Sequence, residues 1–198
     1  MLKVKKTKKM KTQTKTTNPL KHPDQRVGVF IDVQNLYYSA KNLYGKKVNF
    51  GNIVKAAVEG RKLIRSIAYV VRTETQEEQP FFEALYNLGI ETREKDLQIF
   101  NSGTKKADWD VGLAVDAIRL AHSLDAIVLV SGDGDYLPLV DYLQKSTGKQ
   151  VEVVAFGKTS SGRLIDSADD FLDLDEDLAS FLITSPSRGR TTAKKTRK

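Results

Sequence analysis

The 198 residues are enough for one ordinary domain with flanking segments, and 40% of them are hydrophobic, as in globular proteins. The chain has no cysteine, which excludes disulfides, thiolate nucleophiles and zinc–thiolate sites. It has no run of 18 apolar residues and no apolar stretch behind its basic N-terminus, so we expect a soluble, cytoplasmic protein that neither enters a membrane nor is exported.

The net charge of +7 is unevenly distributed along the chain. Residues 1–21 hold eight lysines, residues 186–198 hold six basic residues, and neither segment holds an acid. The remaining 18 basic residues face all 25 acids, so residues 22–185 carry a net charge of −7. Like-charge blocks are typical of solvated, disordered segments, and basic ones attract polyanions. We therefore expect basic disordered tails at 1–24 and 183–198 that contact nucleic-acid phosphates, although such tails also serve solubility alone.

Apolar runs alternate with helical patterns between the two tails. In chain order, the patterns predict a strand at 26–32, helices at 35–45 and 49–59, a strand at 62–71, a helix at 75–89, a strand at 90–96, a helix at 106–123, a strand at 126–132, a helix at 136–148, a strand at 150–157, and a short helix, an extended piece and an acidic end within 161–182. This alternation predicts one α/β domain over 25–182, with a doubly wound, mainly parallel sheet and helices on both faces. The acidic segment 166–177 fits packing on this domain or contact with a partner, including a second copy of the chain.

Acidic residues follow the carboxyl ends of two predicted strands. Asp32 ends the first strand, and Asp133 and Asp135 come just after the strand at 126–132. Asp110 lies in the first turn of the helix that leads into that strand. Ligands of open α/β sheets bind outside the carboxyl ends of strands, where the strand order reverses. If these two strands are neighbours, the four acids converge on one small volume.

Crowded carboxylates repel one another, so a fold that keeps such a cluster needs a cation to complete it. The donors here are all oxygen atoms, which favours a hard ion, Mg²⁺ or Mn²⁺, over zinc. One or two such ions can activate water and stabilise the leaving oxygen in phosphodiester cleavage, so a histidine base is not required.

Each acid also has a simpler interpretation when taken alone. Asp32 fits the role of a helix cap as well as that of a catalytic residue, and Asp135 fits a cap equally well. Asp110 alone is more typical of a solvated acid in a first helical turn. A calcium-binding EF-hand is excluded, because Pro138 and Gln144 occupy the loop positions that need glycine and glutamate.

Four segments, VFIDVQNLYYSA, KKADWDVGLAVDA, VLVSGDGDYLPLV and VEVVAFG, resemble in their order and spacing the NYN domain family, the PIN-like group that includes the LabA-type proteins. The resemblance covers residues 26–175 and implies a PIN-like α/β/α sandwich and a metal-dependent ribonuclease. The family's motif residues fall on Asp32, Asn35, Asp110, Asp116, Ser131, Asp133 and Asp135. The basic tails are not part of the family pattern.

The resulting hypothesis is a Mg²⁺- or Mn²⁺-dependent endoribonuclease whose metal ligands, direct or through water, are Asp32, Asp110, Asp133 and Asp135. Asn35 would orient a water or the scissile phosphate, Ser131 would support an acid through a hydrogen bond, and Asp116 would line the rim. Lys106 is explained equally well as a phosphate contact and as a solvated lysine. Tyr37, Tyr38 and Tyr44 have helical spacing that favours core packing over base stacking, although one of them could flank the site.

Two alternatives share these residues. The first is a non-catalytic RNA-binding or regulatory protein that retains the acidic pocket. The second is a nuclease that acts on DNA through the same site chemistry.

Overall fold

The computed structural model describes residues 19–72, 78–96, 98–99, 105–106 and 108–183, and for 98–99 and 105–106 it describes the backbone alone. The strands within these residues are β1 Arg26–Asp32, β2 Lys47–Val48, β3 Lys62–Arg72, β4 Glu91–Asp96, β5 Gln98–Ile99, β6 Lys105–Lys106, β7 Ala126–Val130, β8 Gln150–Ala155, β9 Asp170–Asp173 and β10 Leu182–Ile183. The α-helices within them are α1 Val33–Tyr44, α2 Phe50–Val58, α3 Glu78–Asn87, α4 Asp110–Leu120, α5 Leu137–Thr147, α6 Gly162–Ser167 and α7 Leu178–Phe181.

Six strands form a central sheet in the order β4-β3-β1-β7-β8-β9, and every neighbouring pair is parallel. The chain runs outward from β1 through β3 to β4, and it then returns to the other side of β1 with β7. The strand order therefore reverses between β1 and β7. This arrangement confirms the predicted doubly wound sheet and makes the two strands neighbours at the switch point.

The sheet lies between two hydrophobic cores because side chains along its strands alternate between the two faces. On β1, Val29 and Ile31 point into a core that also contains residues of α1, α2, α3 and α7. Phe30 points to the opposite core, which contains residues of α4, α5 and α6. The domain is thus an α/β/α sandwich, as predicted. None of the helices in the described ranges is long and apolar enough to cross a membrane.

Several element boundaries differ from those predicted. The helix predicted at 106–123 begins only at Asp110, because Lys105–Lys106 pairs with Gln98–Ile99 in an antiparallel ladder. The same helix ends in a turn of 3-10 helix at Ala121–Ser123. The extended piece within 161–182 is β9, which pairs with β8 and closes one edge of the sheet. Short two-residue strands such as β2 and β10 carry no sequence signal of their own.

Lys21 belongs to the first basic block by charge, but it contacts the folded body. Its ammonium group lies 2.9 Å from Glu59, 2.7 Å from Asp170 and 3.4 Å from Glu152. Glu152 is buried and also accepts hydrogen bonds from the buried Arg61 guanidinium, one of them at 2.8 Å. The remainder of the two predicted tails, residues 1–18 and 184–198, lies outside the described residues.

Candidate metal centre

Asp32 lies where β1 passes into α1, and its side chain is nearly buried, with 8% of its surface exposed. One carboxylate oxygen accepts a hydrogen bond from the backbone N–H of Asn35 at 3.0 Å, so Asp32 is the N-cap of α1. The other oxygen accepts a hydrogen bond from the Ser131 hydroxyl at 3.1 Å. The cap therefore also joins α1 to the segment that follows β7.

The segment after β7 is held to α1 by a second contact. The backbone N–H of Gly132 donates to the side-chain oxygen of Asn35 at 3.0 Å. The buried Ser131 hydroxyl in turn accepts from the N–H of Asp133 at 3.2 Å. These bonds bring the carboxyl ends of β1 and β7 together and direct the chain from Ser131 to Asp133 along the same edge of the sheet.

Three carboxylates meet at this edge. Asp110, Asp133 and Asp135 each offer one oxygen, and the three oxygens lie within 4.8 Å of one another. Asp110 is the first residue of α4, where the helix dipole favours a negative charge, and it accepts a hydrogen bond from Tyr136 at 3.1 Å. Asp133 accepts from the N–H of Asp135 at 3.0 Å, so Asp133 and not Asp135 is the cap of the following turn. The cap interpretation of Asp135 is wrong because the helical turn begins at Gly134, two residues earlier than predicted.

An open cavity of about 420 Å³ connects the cluster to Asp32. Asp32, Asp110 and Asp133 line it together with Asn35 and Asp108. Asp108 was not among the predicted site residues, although its position two residues before Asp110 placed it near the same helix end. Asp32, Asp110 and Asp133 therefore share one cavity, and Asp135 joins this group through its tight cluster with Asp110 and Asp133.

The pKa values of two of these acids respond to the crowding. Burial raises the pKa of Asp32 above its usual value, the hydrogen bonds from Asn35 and Ser131 oppose this shift, and the charges of Asp110 and Asp133 add to it. Burial also raises the pKa of Asp110, and the neighbouring charges of Asp133 and Asp108 reinforce the rise. Ionised carboxylates at this site are thus destabilised in the absence of a counter-charge.

The donor set suits a small divalent cation. All the clustered ligand atoms are carboxylate oxygens, the ligands that Mg²⁺ and Mn²⁺ prefer. The chain has no cysteine, and neither His22 nor His122 lines the cavity. A cation would also offset the repulsion among these neighbouring carboxylates.

The family model described as the NYN domain matches residues 26–175, which begin at β1 and end two residues after β9. The chain belongs to the NYN domain family. This NYN domain is similar to the low amplitude and bright protein LabA of Synechococcus elongatus, at 27% identity over 169 residues that cover 79% of this chain and 87% of LabA. It is also similar to the crystal structure of a protein of unknown function from Vibrio parahaemolyticus, with a TM-score of 0.75, 31% identity, and coverage of 82% of this chain and 99% of that one. These findings confirm the family resemblance and the fold.

Two further residues were proposed for the site. One lies elsewhere in the fold, and the side chain of the other lies outside the described residues. Asp116 of the NYN domain accepts a hydrogen bond from Tyr69 at 3.1 Å and lies 3.6 Å from the Arg93 guanidinium. It does not line the cavity of Asp32 and Asp110, so in this structure its contacts are with α4's neighbours in β3 and β4. The side chain of Lys106 lies outside the described residues.

The cavity wall includes further residues of the NYN domain. Tyr38 lines the cavity and is 54% exposed, as the alternative that one tyrosine flanks the site expects. Tyr37 beside it is 43% exposed, so the favoured prediction of core packing is wrong for both residues. Consecutive helix residues point about 100° apart, so Tyr37 and Tyr38 could not share one narrow face. Thr159, which follows β8, reaches the cavity by donating a hydrogen bond to Ser39 at 2.9 Å. No local sequence signal links Thr159 to α1.

Proposed function

We propose that this NYN domain is a divalent-metal-dependent endoribonuclease that uses Mg²⁺ or Mn²⁺. The observation that carries the proposal is the cluster of Asp110, Asp133 and Asp135 beside Asp32 at the switch point of the sheet. Membership of the NYN family, a branch of the PIN-like nucleases, supports an RNase-type function.

Asp110, Asp133 and Asp135 would hold the cation, and Asp32 would add a fourth carboxylate on the same cavity. A divalent cation held there would supply positive charge and would lower the pKa of water enough to provide a nucleophile at neutral pH. Carboxylates alone would repel the phosphate, so RNA binding and metal binding are expected to be coupled at this site.

The protein residues around the acids have positioning roles in this proposal. The hydrogen bonds that Ser131 and the backbone of Asn35 donate fix both oxygens of Asp32. The Tyr136 hydroxyl orients Asp110 in the same way. The side-chain oxygen of Asn35 accepts from Gly132, which leaves its NH₂ group without an acceptor among the described residues and on the wall of the cavity. That NH₂ group is available to donate to a phosphate oxygen or to a water.

A cleavage assay on single-stranded RNA with Mg²⁺, Mn²⁺ or a chelator tests the proposal. We expect Asp133→Asn to lower metal-dependent kcat by at least about 100-fold, because it removes a ligand charge while its side-chain oxygen can still cap the turn at Asp135. The matched control is Asp141→Asn, which changes an exposed acid on α5 that pairs with Lys145. The control should cleave at the wild-type rate.

The outcomes separate the proposal from its alternatives. Full activity of Asp133→Asn, or wild-type cleavage that persists in excess chelator, would contradict a metal-dependent site. RNA binding without turnover under every metal condition would support the non-catalytic RNA-binding alternative. Faster cleavage of single-stranded DNA than of RNA would indicate that the same site belongs to a deoxyribonuclease.

A further inference from the structure

A second cavity of about 380 Å³ lies beside the acidic one. Its floor is apolar and includes Val48, Phe50, Val70 and Phe81, which belong to β2, α2, β3 and α3. Its size falls within the range of roughly 300–1,000 Å³ that ligand pockets usually span. We call this cavity the aromatic groove, because Tyr37 and Tyr38 form its exposed wall.

The aromatic groove adjoins the acidic cavity. Gln34 and Tyr38 of α1 line both. Tyr38 therefore lies at the boundary between a cavity lined by carboxylates and a hydrophobic surface. A ligand with a phosphate beside Asp110 and Asp133 occupies a cavity whose wall includes Tyr38.

The two tyrosines of the groove are exposed although their neighbours are apolar. Tyr37 and Tyr38 are in edge contact, with ring centroids 5.3 Å apart, and 43% and 54% of their surfaces are exposed. Two adjacent exposed rings beside an apolar floor provide a surface on which a flat ligand group can stack. The groove therefore suits a planar, partly hydrophobic ligand group.

The rim of the groove carries positive charge. The ammonium group of Lys41 lies 5.3 Å from the Tyr37 ring centroid and donates a hydrogen bond to the Tyr37 hydroxyl at 3.3 Å. Lys47 lines the groove as well. These lysines lie next to a cavity lined by Asp32, Asp108, Asp110 and Asp133, so they provide the cationic surface that a polyanion needs when it approaches the acids.

We propose that the aromatic groove binds one unpaired base of a single-stranded RNA, the base of the nucleotide next to the phosphate at the acidic cluster, while Lys41 and Lys47 contact the adjoining phosphates. Aromatic side chains that alternate with cationic ones are the general solution for holding single strands, because every base has a face that stacks. The inference rests on the proposed nuclease function, which it deepens by naming the substrate as unpaired RNA and locating the base.

Binding of a short fluorescent single-stranded RNA, measured by anisotropy in the catalytically impaired Asp133→Asn protein, tests the groove. We expect a Tyr38→Leu substitution in this background to raise Kd roughly 5- to 100-fold, the loss typical of one stacked base. Tyr38→Phe retains the ring and should bind within twofold of the parent. Tyr86→Leu changes a tyrosine of α3 that is 82% exposed and lies away from both cavities, and it should leave Kd unchanged.

The lysines are tested by charge removal in the same background. Lys41→Gln combined with Lys47→Gln should weaken binding and flatten its dependence on salt, since each phosphate contact contributes about 0.7 to the slope on single strands. Lys145→Gln removes a charge from the surface pair with Asp141 and should change neither value.

An abasic series distinguishes stacking from phosphate contact. Oligonucleotides that each lack one base should include a position whose loss weakens binding to the parent protein but not to Tyr38→Leu. Unchanged Kd in Tyr38→Leu, or an equal loss on fully duplex RNA, would overturn the groove assignment even where wild-type cleavage and the Asp133→Asn defect are observed. If the wild-type protein neither binds nor cleaves RNA, the proposed function fails together with this inference.

Discussion

At the scale of single residues, Asp32 shows that a structural and a functional interpretation of one side chain can both hold. Its first oxygen caps α1, and its second accepts from Ser131 at the end of the neighbouring strand. The cap places the carboxylate on the cavity of the proposed metal site, while burial keeps it away from bulk water. The sequence favoured neither the capping role nor the functional role, and the geometry allows one carboxylate to serve both.

The raised pKa of Asp32 predicts how the metal-free protein responds to pH. The folded state binds the Asp32 proton more tightly than the unfolded state, so the free energy of unfolding falls as pH rises from about 4 through the raised pKa. The Asp32→Asn variant can still cap α1, and its stability does not fall with pH in this way because its side chain does not ionise. In excess chelator, we expect the variant to melt higher than wild type at pH 7, by roughly 2–4 °C for each kcal/mol of relieved penalty.

Thermal melts of both proteins from pH 4 to 8, with and without Mn²⁺, measure this effect. The gap in Tm should grow with pH under chelation and shrink when Mn²⁺ is added, because the cation stabilises the wild-type cluster preferentially. A gap in Tm that stays constant across this pH range would contradict the assigned electrostatics.

At the scale of elements, the turn between β7 and α5 depends on close packing against the segment before α6. A Cβ atom on Gly132 would lie 2.2 Å from the Ser160 hydroxyl oxygen and 3.0 Å from the Ser160 Cα atom. The carbonyl of Gly132 also accepts from the N–H of Ser161 at 2.9 Å. The glycine therefore sets how closely the turn that carries Asp133 approaches its neighbour.

We expect Gly132→Ala to destabilise the protein by about 1–3 kcal/mol, as overpacking in a tight contact does, and to weaken metal-dependent activity by displacing Asp133. Urea unfolding and the cleavage assay measure the two effects. The control is Gly162→Ala at the start of α6, where an added Cβ has no atom within 4 Å. If Gly132→Ala were as stable as wild type, the segment before α6 would be able to move away from the added Cβ atom at no cost in stability.

A buried ion pair at the other end of the sheet joins α2 to β8. The Arg61 guanidinium donates to Glu152, to the carbonyl of Ala57 at 2.7 Å and to that of Val58 at 3.0 Å. Lys21 adds a second positive charge 3.4 Å from Glu152. Each of the two charged groups would lose its main counter-charge if the other were removed.

We expect Arg61→Met to cost about 3–5 kcal/mol in the free energy of unfolding, because it leaves the Glu152 carboxylate buried without its main partner. Urea denaturation measures the loss, and the double variant Arg61→Met with Glu152→Leu should recover most of it. A single variant as stable as wild type would mean that Lys21 alone neutralises Glu152.

At the scale of the whole molecule, the two basic segments join the domain at different places. The described chain ends at Ile183, which pairs with Lys47 on the aromatic groove. The first segment joins near Lys21, beside the amino end of β1, and the seven residues of β1 separate that end from Asp32 by roughly 20 Å. The C-terminal segment is therefore attached on the side of the proposed RNA path.

We expect removal of residues 184–198 to weaken RNA binding and to reduce its salt dependence more than removal of residues 1–18 does, although the two segments carry six and seven basic residues. Anisotropy titrations of both truncations between 50 and roughly 200 mM salt measure the slopes, with circular dichroism to check that each folds. Equal slopes for the two truncations would contradict this assignment.

Much of the domain and part of the site follow from local sequence. The apolar runs around Val29 and Val128 determine buried strands, because only a sheet covered on both faces buries every side chain of a strand. The convergence of Asp110, Asp133 and Asp135 could be predicted because residues at strand ends and helix starts meet at one edge of a parallel sheet. The sequence motifs of the NYN family lie in the same segments of the chain.

Only the tertiary structure decided which distant segments complete the site. Thr159 lines the acidic cavity, and Tyr38 is exposed between two cavities, through packing of segments far apart in the chain. Likewise, Lys21 is part of the body because three acids from separate elements meet its ammonium group. The periodicity of a sequence indicates which face of an element is buried, but not which other element packs against that face. The aromatic groove, and its position next to the acidic cavity, could therefore be found only in the tertiary structure.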